Sequence, residues 1–189
     1  APVLRNVLVR TVAFFVFGSA GWALLPLVAR RELGLGPAGY GVMLACIGLG
    51  AIAGAILLPR LRQRLDADRL MVAASLTFAL TMLALAFVRH VWLLNLFEFF
   101  TGFAWIAVLS TLNLGAQRSA ARWVKARALA VYLTVFFGSM TAGSAIWGQI
   151  ASRFGTPTSL VVATLGMVLA SATAFRWKLE KDPNLNLDL

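Results

Sequence analysis

Long stretches without charged side chains, separated by short charged segments, constrain the fold of this sequence most strongly. They cover residues 11–29, 33–59, 70–88, 91–117, 128–152 and 154–175. Only Glu98 carries a charge inside any of them. A bilayer core about 30 Å thick is crossed by about 20 helical residues, and every stretch is near that length or longer. Because lipid cannot pair backbone amides and no stretch alternates polar with apolar residues, we predict transmembrane helices and not barrel strands.

The composition agrees with a membrane protein, since 60% of residues are hydrophobic and the mean hydropathy is +0.84. A soluble domain is only about half apolar. We therefore predict an all-α bundle of six transmembrane helices, made of two inverted three-helix repeats and occupying residues 1–175. Its helices are predicted at about 7–29, 37–58, 70–88, 91–116, 126–150 and 157–175. Pro59 is expected to end the second helix, and residues 176–189 to form a polar cytoplasmic tail.

One weak sequence feature supports the repeat. Tyr40 and Tyr132 each lie near the start of a glycine-rich helix, and each of these helices is the middle one of its three-helix set, or triplet. Aromatic side chains also mark the expected membrane surfaces. The residues predicted to lie there are Tyr40, Trp92, Trp123, Tyr132, Trp147 and Trp177.

Basic residues are divided unevenly between the two sides that six spans define, in a chain with a net charge of +10. One side receives only Arg30, Arg31, Arg89 and Arg153. The side that holds both chain ends receives Arg5, Arg10, Arg60, Arg62, Arg64, Arg69, Arg118, Arg122, Lys125, Arg127, Arg176, Lys178 and Lys181. Cytoplasmic loops carry such an excess, so both ends are predicted to be cytoplasmic. Membrane electrostatics explains the charge better than nucleic-acid binding does.

Enzyme chemistry finds little support in the sequence. Cys46 is the only cysteine, so it forms no internal disulfide and no cysteine metal site. An intramembrane serine protease needs a GxSxG-like elbow near a buried histidine, whereas His90 is predicted in an outer turn. A phosphate-binding GxxxxGK[ST] loop is absent. We therefore expect neither an enzyme nor a cofactor.

Two long segments carry a family resemblance. Residues 8–65, which begin LVRTVAFFVFGSAGWALLPL and end LLPRLRQRL, resemble the seventh and eighth helices of a major facilitator superfamily permease. Residues 110–155, which begin STLNLGAQRSAARW, are similar to the tenth and eleventh helices of the same bacterial branch, the transmembrane secretion effectors. Enterobactin exporters lie near this branch. The superfamily's acidic loop motif is altered here, because Gln63 stands where its aspartate would fall.

The resemblance implies a twelve-helix protein of the bacterial inner membrane, in which two six-helix halves enclose a cavity and expose it alternately to each side. This chain would be the C-terminal half, its partners would be lipid and the N-terminal half, and the start at Ala1 is expected to be internal. The implied function is export of small amphipathic molecules, drug- or siderophore-like, by proton antiport. An importer of a polar solute and a non-transporting scaffold remain alternatives.

Glu98 is the strongest candidate for transport chemistry. A charge at this depth costs about 2.5 kcal/mol or more, so such residues usually face a cavity or a partner. Polar and aromatic residues at helical spacing share its face, and Trp22 of the first helix is expected to meet them. The candidates for the substrate path or proton coupling are Asn95, Glu98, Trp105, Asn113 and Trp22. A purely structural carboxylate is the competing interpretation.

Small residues and charged loops supply two further groups of candidates. Steps of small residues allow helices to approach closely, which predicts packing at Gly50, Gly54, Ser139, Gly143, Ser144 and Gly148. Candidates for cytoplasmic gating contacts, or only for anchoring the topology, are Arg60, Arg62, Arg64, Asp66, Asp68, Arg69, Arg118, Arg122, Lys125 and Arg127. Within this group, Asp66 and Asp68 are expected to pair with the arginines of their own loop.

Overall fold

The computed structural model describes residues 2–120, 122–172 and 176–179. The helices in this part are α1 (Pro2–Leu27), α2 (Pro37–Arg64), α3 (Ala67–Phe87), α4 (Val91–Arg118), α5 (Lys125–Phe154) and α6 (Thr156–Ser171). A π-helical turn at Val28–Glu32 continues α1, and a 3-10 turn at Arg122–Val124 precedes α5. No strand occurs among these residues. The predicted all-α bundle is confirmed.

Five helices are long and apolar enough to cross a bilayer, counting α1 together with its π-helical turn. They contain 21 to 30 residues, against the roughly 20 that a span requires. The sixth, α6, has 16 residues within the described part. The fold therefore fits a multi-pass membrane protein.

Helix boundaries differ from the predicted ones at several ends, most clearly at Pro59. This proline lies inside α2, which continues to Arg64, so the expectation that it ends the helix is wrong. A proline removes one backbone hydrogen bond, a loss that membrane helices tolerate where side chains or neighbouring groups compensate. α1 begins five residues before the predicted start, and α5 extends four residues beyond its predicted end. Residues 173–175, predicted to end the sixth helix, and 180–189 of the tail lie outside the described part.

The packing order agrees with two three-helix repeats. The middle helix of the first triplet, α2, packs mainly on α4, and the middle helix of the second triplet, α5, packs mainly on α1. Each middle helix thus crosses to the first helix of the other triplet. Likewise α3 packs on α4 and α6 packs on α1, and the two third helices, α3 and α6, also pack on each other.

Glycine permits the closest of these crossings. A Cβ atom on Gly50 of α2 would overlap the carbonyl oxygen of Phe99, and one on Gly102 of α4 would overlap the carbonyl oxygen of Ile47. The two backbones therefore meet without intervening side chains, which is the packing that small residues favour in membranes. At the tight connection from α5 to α6, Gly155 has φ +89°, a backbone conformation that residues other than glycine rarely adopt.

The two ends of the bundle differ in charge. At one end α1, α3 and α5 begin and α2 and α4 end; we call it the basic end, after its many Arg and Lys side chains. At the opposite end, Arg89 pairs with Glu32 at 3.3 Å.

The aromatic residues predicted near the membrane surfaces differ in exposure. Trp92 and Trp123 are 85% exposed, at opposite ends of the bundle. Tyr132 and Trp147, also predicted near the membrane surfaces, are buried within the bundle. The indole nitrogen of Trp147 donates to the carbonyl oxygen of Val16 at 2.6 Å, so this ring joins α5 to α1.

Candidate functional site

Glu98 lies inside the bundle, with only 2% of its surface exposed. It comes about two turns after the start of α4, and buried positions on that helix surround it. Beside its carboxyl group lies Thr101, whose hydroxyl donates to the carbonyl oxygen of Phe97 at 3.2 Å. None of the ion pairs in the described part of the chain involves Glu98. Among these residues, the carboxyl group has no cation to neutralise it.

A small cleft, which we call the Glu98 cleft, opens beside this carboxyl group. Its walls come from four helices, α1 to α4. The lining residues are Gly21, Trp22, Leu25, Ile47, Phe78, Thr81, Met82, Leu85, Glu98 and Thr101. Most of these walls are apolar, so the acid and the two threonine hydroxyls stand out as groups that a polar ligand or a water molecule could contact.

Trp22 brings a hydrogen-bond donor to the Glu98 cleft. Its indole N–H is buried and has no acceptor among the described residues. A buried donor without a partner is costly, by about 1–3 kcal/mol, and its position in a cleft makes it available to a ligand or water. The cleft thus combines a carboxyl group with a free donor.

Trp105 connects the site to a cluster of aromatic rings. Its ring centroid lies 5.2 Å from that of Trp22, so the two residues meet as the sequence suggested. Four phenylalanine rings lie within 6.4 Å of it, namely Phe14, Phe15, Phe78 and Phe136. Trp22 and Phe78 line the cleft and contact Trp105, so they connect the cleft to this aromatic cluster.

The two asparagines of the predicted polar face take different positions. Asn95 is buried one turn from Glu98, and its side-chain oxygen has no partner among the described residues. Asn113 lies four turns beyond Glu98 and accepts a hydrogen bond from Gln117 at 2.5 Å. The face is therefore not one continuous open path: Glu98 points into the bundle, while Asn113 belongs to the basic end.

The charged loop after α2 forms one ion pair as expected and one that differs from the expectation. Asp66 lies 3.7 Å from Arg69, and both side chains are well exposed. Asp68, in the first turn of α3, pairs instead with Arg10 of α1, a residue distant in the sequence. The expected pairing of Asp68 with an arginine of its own loop is wrong, because α1 brings a buried guanidinium group to this turn.

The remaining basic candidates make few contacts. Arg62 donates to the hydroxyl of Ser110 at 2.9 Å, which joins α2 to α4, and it lies close enough to Arg118 for mutual repulsion. No ion pair in the described part involves the side chains of Arg60, Arg64, Lys125 or Arg127. The side chain of Arg122 lies outside the described residues.

The small residues of α5 also divide into two kinds. Ser139 and Gly143 are buried, and a Cβ atom on Gly143 would overlap Ser19 and the carbonyl oxygen of Val16 on α1. Ser144 is half-buried, whereas Gly148 has no neighbouring atom within 4 Å of where its Cβ would lie. Gly54 on α2 contacts Ile106 and Phe103 of α4. Gly148 therefore contributes no close helix contact within this bundle.

Sequence reasoning missed some residues of the site. Thr81 and Thr101 line the cleft, and Arg10 forms the buried ion pair. The arginine could have been found from its position inside an otherwise apolar helix. No cluster that could hold a metal ion occurs among the described residues.

Comparison with known proteins gives one match. The model of a protein family described as transmembrane secretion effector matches residues 1–188, nearly the whole chain. No curated protein and no solved structure matches the sequence significantly. The matched length, the all-helical bundle and the apolar spans agree with one another. The chain accordingly belongs to the transmembrane secretion effectors, a family of major facilitator transporters.

Proposed function

We propose that this chain is the C-terminal half of a bacterial exporter of small amphipathic molecules, driven by proton antiport through Glu98. Membership of a transporter family supports transport as the general function. The aromatic and apolar walls of the Glu98 cleft suit an amphipathic ligand, and its carboxyl group and indole N–H suit one polar group on that ligand. Drug-like and siderophore-like compounds share these properties.

The main support for the proposal is that Glu98 is a buried acid without a basic partner among the described residues. A charged carboxylate is expensive inside a membrane protein, so Glu98 favours either a bound proton or a cationic ligand. Exchange between these two occupants would couple proton entry to substrate exit. No ion pair in the described part neutralises Glu98, which leaves its carboxyl group available to a proton or to a cationic ligand.

Replacing Glu98 with glutamine tests this role. The amide keeps the shape of the side chain but neither binds a proton nor carries a charge. We expect proton-driven export from proteoliposomes to fall to background and its pH dependence to disappear.

Glu32→Gln is the matched control, because this acid lies at the opposite end of the bundle in a partly exposed pair with Arg89. Exposed pairs contribute little, so export should be unchanged. Normal proton-driven export by Glu98→Gln, with its pH dependence intact, would exclude the proposed role.

The low burial of α2 and α5 supports a second helix bundle as the partner of this chain. Only 28% of the span in α2 and 17% of the span in α5 are buried, against 61% in α3. Gly48 on α2 and Gly138 and Gly148 on α5 have open space where a side chain would be. Such faces suit close contact with other helices, which we assign to the N-terminal half of the same polypeptide. Failure of separately expressed halves to co-purify would contradict this assignment.

The distribution of charge supports an orientation in the bacterial inner membrane with the basic end towards the cytoplasm. Tags fused near Ala1 and Leu189 should then resist protease added to intact spheroplasts. Digestion of either tag from outside would reverse or disprove this topology.

Two alternatives predict different results. An importer of a polar solute would accumulate that solute in right-side-out vesicles, whereas an exporter would not. A non-transporting scaffold would keep the Glu98 cleft closed to water and to substrate in all conditions.

A further inference from the structure

A second cleft lies near the basic end, between α1, α3 and α6. Its lining residues are Arg10, Ala13, Phe14, Met71, Ser75, Met167, Ala170 and Ser171. On each helix they recur at intervals of three or four residues, so each helix turns one face towards the cleft. We call it the Arg10 cleft; none of its residues lines the Glu98 cleft.

Arg10 contributes more hydrogen-bond donors than its neighbours use. Its side chain is almost completely buried, and its one acceptor among the described residues is Asp68. A guanidinium group has five N–H donors. Asp68 is itself shared, because its two oxygens also accept from the backbone N–H of Leu179 at 3.0 and 3.3 Å. Arg10 also lines the cleft, where an oxygen-rich ligand could satisfy its remaining donors.

Ser75 adds a second polar group. It is 4% exposed, lies two turns after Asp68 on the same face of α3, and forms no hydrogen bond within the described part. The Ser171 hydroxyl donates to the carbonyl oxygen of Val168 at 2.6 Å, so it is already used. The cleft thus offers a guanidinium group and a free hydroxyl, a pair that commonly binds phosphate oxygens.

The surroundings favour an anion that also has apolar chains. Among the described residues near this end, basic side chains outnumber acidic ones, since Arg5, Arg69, Arg176 and Lys178 accompany Arg10 while the acids are Asp66 and Asp68. The cleft walls include Phe14, Met71 and Met167. Large apolar side chains are exposed on the helices that border it, including Leu76 and Leu80 on α3 and Leu165 and Leu169 on α6.

We propose that the Arg10 cleft binds the phosphate group of an acidic phospholipid from the leaflet at the basic end. Arg10 and Ser75 donate to the phosphate oxygens, and the acyl chains lie along the apolar faces of α3 and α6. Basic pockets between transmembrane helices are a known setting for lipid headgroups. The inference requires that the chain is embedded in a membrane, and it is independent of the role assigned to Glu98.

Thermal unfolding of the complete detergent-solubilised protein tests the proposal. Phosphatidylglycerol, phosphatidylcholine and inorganic phosphate are added in separate titrations. A ligand at a hundredfold excess over its dissociation constant should raise the Tm by about 5–10 °C. We expect this rise with phosphatidylglycerol and not with phosphatidylcholine or inorganic phosphate.

Two variants locate the effect without disturbing the Arg10–Asp68 pair. Ala13→Leu fills the cleft, while Ala73→Leu places the same side chain at an exposed position of α3 outside it. The rise caused by phosphatidylglycerol should disappear in Ala13→Leu and persist in Ala73→Leu.

Several results would overturn the proposal. Equal stabilisation by both lipids would mean that the headgroup charge is not recognised, and an equal effect of inorganic phosphate would exclude a lipid as the specific ligand. A rise that persists in Ala13→Leu would place the lipid elsewhere. Native mass spectrometry supplies an independent measure if Ala13→Leu unfolds, because the wild type should retain one phosphatidylglycerol molecule in preference to phosphatidylcholine.

Discussion

Gly102→Ala is expected to prevent the bundle from assembling, although it adds a single methyl group. That carbon would overlap the carbonyl oxygen of Ile47 and approach the backbone nitrogen of Ala51, so backbone and not a flexible side chain would have to move. The contact between α2 and α4 would open along its length, because Gly50 meets Phe99 at the same crossing. Overpacking costs about 1–3 kcal/mol where side chains can shift, and it costs more here because two backbones would have to separate. Size-exclusion chromatography should show aggregated protein in place of a monodisperse peak.

Gly48→Ala is the matched control for this substitution. Gly48 also lies in α2, but its Cβ position has no neighbouring atom within 4 Å. Alanine has a higher helix propensity than glycine by about 1 kcal/mol, so this variant should be as stable as the wild type or slightly more stable. A monodisperse, stable Gly102→Ala protein would show that α2 and α4 do not meet backbone to backbone.

Asp68→Ala is expected to destabilise the basic end by about 3–5 kcal/mol. The substitution leaves the guanidinium group of Arg10 buried without its carboxylate. It also removes the acceptor of the Leu179 N–H. Residues 176–179 then keep one hydrogen bond to the bundle in the described part, from the Asn6 side chain to the carbonyl oxygen of Lys178 at 3.0 Å. Thermal unfolding should show a large decrease in Tm.

Asp66→Ala is the control for Asp68→Ala, because Asp66 lies only two positions away in the sequence. Its carboxylate pairs with Arg69 at 3.7 Å, with both side chains more than half exposed, so the change should cost less than about 1 kcal/mol. The double substitution Arg10→Met with Asp68→Ala should recover much of the lost stability, because it removes the unpaired charge as well. Equal Tm values for the Asp68→Ala and Asp66→Ala variants would contradict the buried pair.

The fold was predictable from sequence because lipid restricts the possible structures so strongly. Charge-free stretches identified the helices, and glycine steps identified close approaches such as the one at Gly50. Helix ends were less accurate. Pro59 carries a strong local signal for ending a helix, but the sequence does not show that the residues after it keep enough hydrogen bonds to continue to Arg64.

The candidate site was predictable only in part. Glu98 stands out as the lone acid in an apolar stretch, and the meeting of Trp22 with Trp105 followed from helix order. The pairing of Asp68 with Arg10 was missed because nearby arginines in the same loop offered an equally good partner in sequence. Gly148 was predicted to pack closely but has no close neighbour among the described residues. A small residue indicates close packing, but it does not show which helix, or which half of a protein, packs against it.

The central claim is that the Glu98 cleft is a transport site, which water and substrate must reach at some stage of the cycle. It is tested by placing cysteine at Trp22 or at Trp105 in a Cys46→Ala background and treating membrane vesicles with a membrane-impermeant thiol reagent. The account predicts labelling at both positions, slowed by a transported compound. Cysteines that stay unlabelled from both sides of the membrane, but react once the protein is unfolded, would contradict it.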